Sequence, residues 1–343
     1  MSSVIAETLA RLADGEHLSA AAAEQVMDAV MAGEASPAQI GAILMALRLR
    51  GESAEEISGF ARSMRNHALS VLIPRRPVVD TCGTGGDGSH SFNISTAAAL
   101  VAAGAGATVI KHGNRGASSK SGSADLLEAL GIQLNPTRQT WTQMVKETGF
   151  GFVFAQSVHT AMRHAGPVRK ELGIRTVFNL LGPLTNPASP EYQVIGVFDA
   201  DRIALMAEAL VQLQVDRALV VHGDGLDEVT LSGVTDYALV DGGAIVHGQW
   251  TPDSFGLPWY PKAAIRGGEP AFNAEICLGI VANEASAYSD VVLANASVAL
   301  LAARMVADPK EGVRLARDAI TSGRTAKVLK QLQEMSEITQ SGS

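Results

Sequence analysis

Residues 80–125 read DTCGTGGDGSHSFNISTAAALVAAGAGATVIKHGNRGASSKSGSAD, and this stretch decides the fold. The apolar residues 77–79 in front of it are predicted to form a short strand, and the glycine cluster 83–88 follows as a tight turn. Residues 93–96 then open an Ala-rich helix, and the apolar residues 107–110 form a second predicted strand. Strand, glycine turn, helix and strand in this order are typical of a unit in a parallel sheet.

Two loops rich in glycine and serine follow these strands, at one edge of the predicted sheet. Glycine lets backbone N–H groups approach an anion closely, and the first turn of the helix near Ser95 adds unpaired N–H groups. Further donors are Ser95, Thr96, Ser118, Ser119, Ser123 and the cation Lys111. The pattern favours a ligand with more than one phosphate. A helix capped by Ser or Thr after an ordinary glycine turn is the alternative for the glycines alone.

Residues 83–88 also satisfy the dinucleotide fingerprint G-x-G-x-x-G. That motif needs an acidic residue about 20 positions further on to bind a ribose hydroxyl. The sequence offers Lys111 at the end of the next predicted strand instead, and it contains no G-x-x-x-x-G-K-[ST] motif. A nicotinamide site and a Walker P-loop are therefore poor fits.

Composition and charge narrow the class of protein. The 343 residues are 47% hydrophobic and 18% charged, as in a soluble globular protein, and the formal net charge of −8 argues against a nucleic-acid-binding surface. Cys82 and Cys277 make no disulfide framework, which fits a reducing compartment. No signal peptide is apparent, and the apolar run 97–110 is shorter than the roughly 20 residues of a spanning helix. We expect a cytoplasmic protein without membrane or nucleic-acid partners.

Residues 1–70 are predicted to contain helices only. Ser36 before Pro37 is an N-cap followed by proline at the first helical position, and Ser53 with Glu56 makes a capping box for the next helix. Four short helices form only a modest core, so this module is expected to bury its apolar face against another surface.

From Val78 onward, predicted strands and helices alternate, which favours a mostly parallel sheet flanked by helices. Residues 165–190 are predicted to be irregular, because they are rich in proline, and residues 310–335 are predicted to be one helix. The expected fold is therefore α/β, with a small all-helical N-terminal domain (1–73) and a large domain with a mostly parallel central sheet flanked by helices (74–343).

The pattern GTGGDG…FNIST…KHGNR…SS..GSAD within 83–125 resembles the signature of the anthranilate phosphoribosyltransferase family. The segments 162–187 and 222–228 resemble that family too, and the order of segments agrees to about residue 310. The resemblance implies transfer of the phosphoribosyl group of phosphoribosyl pyrophosphate to the amine of anthranilate in tryptophan biosynthesis. It also implies a homodimer through the N-terminal helices, with part of 165–190 packed against them and the active site between the two domains.

The implied reaction displaces pyrophosphate from C1 of the ribose and builds oxocarbenium-like charge on the sugar. Mg²⁺ is the usual neutraliser of a departing diphosphate, and it takes oxygen ligands from one or two carboxylates and from the substrate. Asp227 and Glu228 follow a predicted strand, and with Ser95 they match the family's metal-binding positions. From the acidic pair alone, a solvated acidic turn is the alternative.

The resemblance implies that phosphoribosyl pyrophosphate is bound by Gly83, Gly86, Asp87, Ser91, Asn93, Ser95, Thr96, Lys111, Ser119 and Ser123. Asp87 is unusual in an anion site, because a carboxylate repels phosphate. It either binds ribose hydroxyls or orients the glycine turn, and the sequence leaves both open. Ser91 stands where threonine is common in the family, and Ala117 stands where a branched residue is common.

Anthranilate is implied to contact Gly83, His112, Asn114 and Arg169. A guanidinium binds a carboxylate through two parallel hydrogen bonds, so Arg169 is the candidate partner of the anthranilate carboxylate. Together with Asp227 and Glu228 it is assigned to catalysis. An arginine beside Lys170 and Glu171 would otherwise be expected to form a surface ion pair.

His112 either lines the ring pocket or is structural, Asn114 can accept a hydrogen bond from the amine, and His159 is at most a neighbour of the acceptor pocket. No general base is apparent. An aryl amine is neutral at pH 7, so positioning and electrostatics suffice in principle. A pyrimidine nucleoside phosphorylase-like enzyme and a noncatalytic nucleic-acid-binding relative are the competing hypotheses. The first lacks the acidic metal pair, and the second would need a basic groove.

Overall fold

The structure is a computed structural model that describes residues 3–116 and 119–341. Its strands are β1 (Val79–Gly83), β2 (Val109–Gly113), β3 (Phe150–Phe154), β4 (Tyr192–Gly196), β5 (Arg217–Gly223), β6 (Thr235–Asp241) and β7 (Ala244–Trp250). Its helices are α1 (Ser3–Ala13), α2 (Ala20–Met31), α3 (Pro37–Arg50), α4 (Ala54–Asn66), α5 (Ile94–Gly104), α6 (Ser123–Ala129), α7 (Arg138–Thr148), α8 (Ala155–Val158), α9 (Gly166–Leu172), α10 (Phe178–Leu181), α11 (Arg202–Gln212), α12 (Pro252–Phe255), α13 (Pro270–Val281), α14 (Ala287–Ala302), α15 (Pro309–Thr321) and α16 (Arg324–Ser341). Three short 3-10 turns lie at Thr160–Arg163, Gly182–Leu184 and Lys262–Ile265.

Within the described residues the strands form one sheet in the order β3-β2-β1-β4-β5-β6-β7. Neighbouring strands from β3 to β5 are parallel, and β5, β6 and β7 pair antiparallel. The predicted mostly parallel sheet flanked by helices is confirmed. The carboxyl ends of β1, β2, β4 and β5 meet at one edge, and the strand order reverses between β1 and β4. Such a switch point is where open α/β sheets bind ligands.

The N-terminal helices begin where the sequence predicts. Ser36 and Ser53 each cap a helix with their side chain, and both capping boxes are formed, with Gln39 and Glu56 as the reciprocal partners. The apolar face of α3 that contains Ile40 and Leu47 is buried. Local capping and helical periodicity thus account for this part of the fold.

The sheet has an apolar core on each face. One core contains α5, α13, α14, α15 and α16. The other contains α1 to α4 together with α11 and the buried side chains Val168, Val177 and Phe178 of the 165–190 crossover. Part of the crossover therefore packs with the N-terminal helices. The domain boundary between residues 73 and 74 stays a prediction.

Two predictions about local structure were wrong. The crossover 165–190 contains α9 and α10 rather than irregular chain, because Pro167 lies in the first turn of α9, where no backbone donor is needed. Residues 310–335 form two helices, because Gly323 adopts φ +77° between them. The strands β1 and β2 also begin later than predicted, and each runs into the polar motif that follows it.

No helix in the described part of the chain is both long and apolar enough to cross a membrane. The cytoplasmic location stays a prediction.

Candidate active site

The acidic turn after β5 folds back over the ends of β1 and β4. Gly83 ends β1 and Gly196 ends β4, and the space that their side chains would fill is occupied by Asp227. A Cβ atom at Gly83 would lie 2.2 Å from Asp227 Oδ2, and one at Gly196 would lie 1.6 Å from the Asp227 carbonyl oxygen. The two glycines therefore form a cradle that fixes the acidic turn at the switch point of the sheet.

Both carboxylates of the turn accept backbone hydrogen bonds, one from the loop after β1 and one from the start of α5. The Gly85 N–H donates to Asp227 Oδ2 at 2.6 Å, and the Ser95 N–H in the first turn of α5 donates to Glu228 Oε1 at 3.1 Å. The acidic turn and the start of α5, which are far apart in sequence, thus face each other directly.

Charge accumulates in this crevice. Burial raises the pKa of Asp227 well above its usual range, and the negative charge of Asp87 adds to the rise. Burial likewise raises the pKa of Glu228, and the charge of Asp227 adds to it. The Asp87 carboxylate lies beside the pair and accepts a hydrogen bond from the Asp227 N–H at 3.3 Å. Three neighbouring, partly buried carboxylates are an arrangement that a bound cation would stabilise.

The donor set fits Mg²⁺ better than a transition metal. Among the described residues, no group of three or more His, Cys, Asp or Glu is arranged to hold a metal ion by itself. Mg²⁺ does not need such a cage, because it binds through one or two carboxylates and keeps waters or substrate phosphates as its other ligands. Asp227 and Glu228 with the Ser95 hydroxyl beside them supply that kind of partial oxygen shell.

Lys111 lies deeper than an exposed phosphate-binding cation would. Its side chain on β2 is 2% exposed, and its Nζ donates to the Thr81 carbonyl oxygen and, at 3.2 Å, to Ser95 Oγ. The positive charge therefore lies next to Ser95. It lowers the pKa of Glu228 and so partly offsets the rise that burial causes. The structure brings Lys111 to the crevice through Ser95, and its direct contact with substrate stays a prediction.

The glycine turn after β1 needs its glycines. Gly85, Gly86 and Gly88 have φ values of +67°, +76° and +74°, which other residues adopt only with strain. Asp87 between them accepts from the Ser89 N–H at 3.0 Å as well as from Asp227. Its contacts orient the turn, which supports the second of the two roles that the sequence left open.

The remaining predicted donor residues differ in whether their side chains already have hydrogen-bond partners. The Asn93 amide bonds to Ser121 and to Asn273 of α13, so it links the two glycine- and serine-rich loops. The Thr96 hydroxyl is buried and has no hydrogen-bond partner among the described residues. The hydroxyls of the others bond within their loops; these are Ser91, Ser119 and Ser123. Ala117 and Ser118 lie outside the described residues.

Arg169 on α9 does not form the surface ion pair that its neighbours suggested. Its guanidinium lies over the Phe178 ring, 4.8 Å from the centroid, and among the described residues it contacts no carboxylate. Burial lowers the pKa of Arg169, because a charge enclosed by protein lacks solvation. A partly buried guanidinium without a carboxylate partner suits a ligand carboxylate.

His112 and His159 form an edge-to-face pair, with ring centroids 5.1 Å apart. His112 Nδ1 lies 3.2 Å from the Gly182 carbonyl oxygen and so carries the proton, while the Nε2 atoms of both rings are buried without a partner. Burial lowers the pKa of His112 to about 3 and that of His159 to about 4, so both rings are neutral. Asn114 Oδ1 already accepts from the Arg115 N–H and from Gln156.

Sequence reasoning missed several residues that hold the site. Arg175 donates to the Gly86 carbonyl oxygen and stacks 4.3 Å above the Phe198 ring, which ties the crossover to the glycine turn. Asp80, fully buried on β1, accepts from the His112 N–H at 3.1 Å and from Asn186 at 2.9 Å. These contacts join segments that the sequence separates by tens of residues, so no local pattern signals them.

The chain matches two families of known proteins. Residues 75–326 match the "Glycosyl transferase family, a/b domain", and residues 6–68 match the "Glycosyl transferase family, helical bundle domain". An anthranilate phosphoribosyltransferase of Symbiobacterium thermophilum is 49% identical over 327 residues, covering 95% of this chain and 96% of the relative. The protein of that name from Rubrobacter xylanophilus is 47% identical and covers 97% and 98%.

Solved structures agree with these relatives. The crystal structure of anthranilate phosphoribosyltransferase from Thermus thermophilus superposes with a TM-score of 0.91 at 45% identity, over 96% of this chain and 99% of that one. The Saccharomyces cerevisiae enzyme, solved in complex with phosphoribosyl pyrophosphate and Mg, has a TM-score of 0.88 at 27% identity and covers 98% and 99%.

Proposed function

The chain belongs to the anthranilate phosphoribosyltransferase family, and we infer that it transfers the phosphoribosyl group of phosphoribosyl pyrophosphate to the amine of anthranilate, releasing pyrophosphate. It is a Mg²⁺-dependent pentosyltransferase of tryptophan biosynthesis. The observation that carries this conclusion is the acidic turn, cradled by Gly83 and Gly196 directly against the glycine turn and the start of α5. A diphosphate and its metal need that combination of carboxylates and backbone donors.

For the donor side we propose that Asp227, Glu228 and Ser95 hold Mg²⁺, and that the turn 83–88 with the first turn of α5 surrounds the diphosphate. When bound, the metal would neutralise negative charge on the departing pyrophosphate. Lys111 keeps the Ser95 hydroxyl oriented through its 3.2 Å hydrogen bond. Direct contact between the buried, unpartnered Thr96 hydroxyl and a phosphate oxygen stays a prediction.

For the acceptor side we propose that Arg169 binds the anthranilate carboxylate. Its partly buried guanidinium has no competing carboxylate among the described residues, which supports this assignment. The neutral His112 ring carries its proton on Nδ1, so its unpartnered Nε2 atom is a hydrogen-bond acceptor beside the His159 ring. No strong base is required, because an aryl amine is neutral and loses its proton readily after bond formation; orientation of the amine beneath C1 supplies the acceleration.

The reaction is tested by identifying its products. Purified protein with phosphoribosyl pyrophosphate, Mg²⁺ and anthranilate should yield N-(5-phosphoribosyl)anthranilate and pyrophosphate in equal amounts by mass spectrometry. A parallel incubation uses a pyrimidine nucleoside with inorganic phosphate. Release of free pyrimidine there, without product in the first incubation, would instead establish a nucleoside phosphorylase.

We further propose a homodimer through the N-terminal helices. The outer face of α3 carries the apolar residues Ala38, Ala42, Met45 and Leu49 at helical spacing, and Leu49 is 80% exposed. Static light scattering should give twice the mass of one chain for wild type and a single-chain mass for Leu49→Glu. Leu278→Glu, at an exposed leucine on α13, is the control and should remain dimeric.

A further inference from the structure

Residues 259–267 match none of the motifs described above, yet they contact the loop that leads into α5 and the acidic loop after β5. We call this segment the strap. It leaves the region of α12, passes through the 3-10 turn Lys262–Ile265 and ends just before α13. Its contacts are to the loop that leads into α5, to the acidic loop after β5, and to α14.

On the donor side the strap pairs with the backbone just before α5. The Phe92 N–H donates to the Ile265 carbonyl oxygen at 3.1 Å, and the Gly267 N–H donates to the His90 carbonyl oxygen at 2.8 Å. Between them, Ser91 and Arg266 form an antiparallel bridge. The chain between the glycine turn and α5 is therefore held as a short two-stranded pair.

On the acidic side the strap bonds to the loop that contains the carboxylate pair. The Tyr260 N–H donates to the Leu231 carbonyl oxygen at 3.0 Å, and Trp259 Nε1 donates to the Ser232 carbonyl oxygen at 2.8 Å. These two bonds fix the end of the acidic loop, a few residues beyond Glu228.

Two tyrosine hydroxyls anchor the strap to the rigid body of the protein. Tyr288 on α14 donates to the Arg266 carbonyl oxygen at 2.8 Å, and its ring meets Phe92 edge-on at 5.1 Å. Tyr260 of the strap donates to Asp290 on α14 at 2.8 Å. Because α14 is almost entirely buried, the strap cannot shift without breaking these contacts.

Gly267 is the tightest point of the strap. A Cβ atom there would lie 2.6 Å from Phe92 Cα and 2.7 Å from both the Phe92 nitrogen and the Ser91 carbonyl oxygen. All three neighbours are backbone atoms, so no side-chain rotation relieves the overlap. Gly267 does not adopt the left-handed conformation, and the close approach alone accounts for a glycine at this position.

We propose that the strap sets the separation between the glycine turn and the acidic turn, and that Gly267 is a positioning residue for the phosphoribosyl donor. The inference rests on the proposed function of that crevice as the donor site. It adds a third segment, which touches neither Asp227 nor Glu228, to the residues that determine donor affinity.

The test compares two single-methyl variants. Gly267→Ala pushes the backbone of Ser91 and Phe92, whereas Gly268→Ala, one residue beyond the strap, meets only the exposed Phe272 side chain at 2.8 Å, which can rotate away. The readouts are the Kd of phosphoribosyl pyrophosphate by calorimetry in the presence of Mg²⁺, and the KM values of both substrates. Gly267→Ala should raise the donor Kd and donor KM roughly tenfold or more, with the anthranilate KM within about twofold of wild type.

Gly268→Ala should match wild type in every readout. Equal donor Kd values for the two variants would overturn the proposal. Tyr288→Phe, which removes only the hydrogen bond to Arg266, gives a second reading if Gly267→Ala folds poorly. It should raise the donor Kd severalfold and leave the anthranilate KM unchanged, and an unchanged donor Kd would again overturn the proposal. Wild-type protein that binds the donor but transfers nothing to anthranilate would refute the proposed function and leave the strap comparison intact.

Discussion

Gly83→Ala adds one methyl group to the crevice and removes nothing, and the nearest atom that this methyl would meet belongs to Asp227. The new Cβ would lie 2.2 Å from Asp227 Oδ2 and 3.0 Å from its Cγ, whereas ordinary contact begins at 3.4 Å. Gly83 does not have a positive φ, so alanine brings no backbone strain of its own. The carboxylate must move instead.

The size of the effect follows from that overlap. Reaching ordinary contact requires a shift of about 1 Å, and a misplacement of that size costs about 10²-fold in rate. This corresponds to about 2.7 kcal/mol of transition-state stabilisation. The shift also strains the 2.6 Å hydrogen bond from the Gly85 N–H, which holds the same oxygen.

The assay is turnover at saturating anthranilate, titrated with Mg²⁺ at several donor concentrations. Gly83→Ala should lose about two orders of magnitude in kcat/KM and need more Mg²⁺ for half-maximal rate. Gly41→Ala is the control, because a Cβ there makes an ordinary 3.8 Å contact with Val168. Circular dichroism and Tm verify that both variants fold.

Two results would refute this reasoning. A Gly83→Ala enzyme within about threefold of wild type would mean that the carboxylate position is unimportant. Full recovery at high donor concentration with an unchanged Mg²⁺ requirement would mean that the methyl blocks the donor directly and leaves Asp227 in place.

Three further predictions concern charge. Asp227→Asn combined with Glu228→Gln should abolish Mg²⁺-dependent turnover with the fold intact by circular dichroism, and near-normal rates would remove both residues from the metal site. Arg169→Ala should mainly raise the KM for anthranilate, because the carboxylate loses its partner; a change confined to the donor KM would contradict the assignment. Burial lowers the pKa of His112 to about 3 and of His159 to about 4, so both stay neutral in the fold while the unfolded chain binds protons near pH 6.5. Their contribution to stability is complete above pH 6.5 and falls as the pH drops towards 4. In urea unfolding, the free energy of unfolding of His159→Asn should decrease less between pH 6.5 and pH 4 than that of wild type. The same pH dependence in both proteins would argue against buried neutral rings.

Much of the fold could be predicted because its signals are local. Ser36 and Ser53 cap helices through residues three positions away, and the glycines at 85, 86 and 88 signal a turn with positive φ. The Asp227–Glu228 pair after an apolar strand likewise indicated the correct edge of the sheet. In each case the signal and the structure that it specifies lie within a few residues of each other.

The parts of the site that could not be predicted depend on strand order, for which the sequence contains no local signal. Gly83 and Gly196 form one cradle only because β1 and β4 are neighbours in the sheet. Lys111 was predicted at a phosphate loop, yet it is buried against Thr81, because its strand lies beside β1. The strap gave no sequence signal, because its backbone pairing with residues 90–92 and the side-chain bonds of Trp259 and Tyr260 join segments far apart in the chain.

Anthranilate fluorescence tests the central claim most directly. Purified protein is mixed with anthranilate, and phosphoribosyl pyrophosphate and Mg²⁺ are added separately and together. The account predicts that the fluorescence decays only when donor and metal are both present. Folded protein that leaves the signal constant with verified donor and Mg²⁺ would contradict anthranilate as the acceptor.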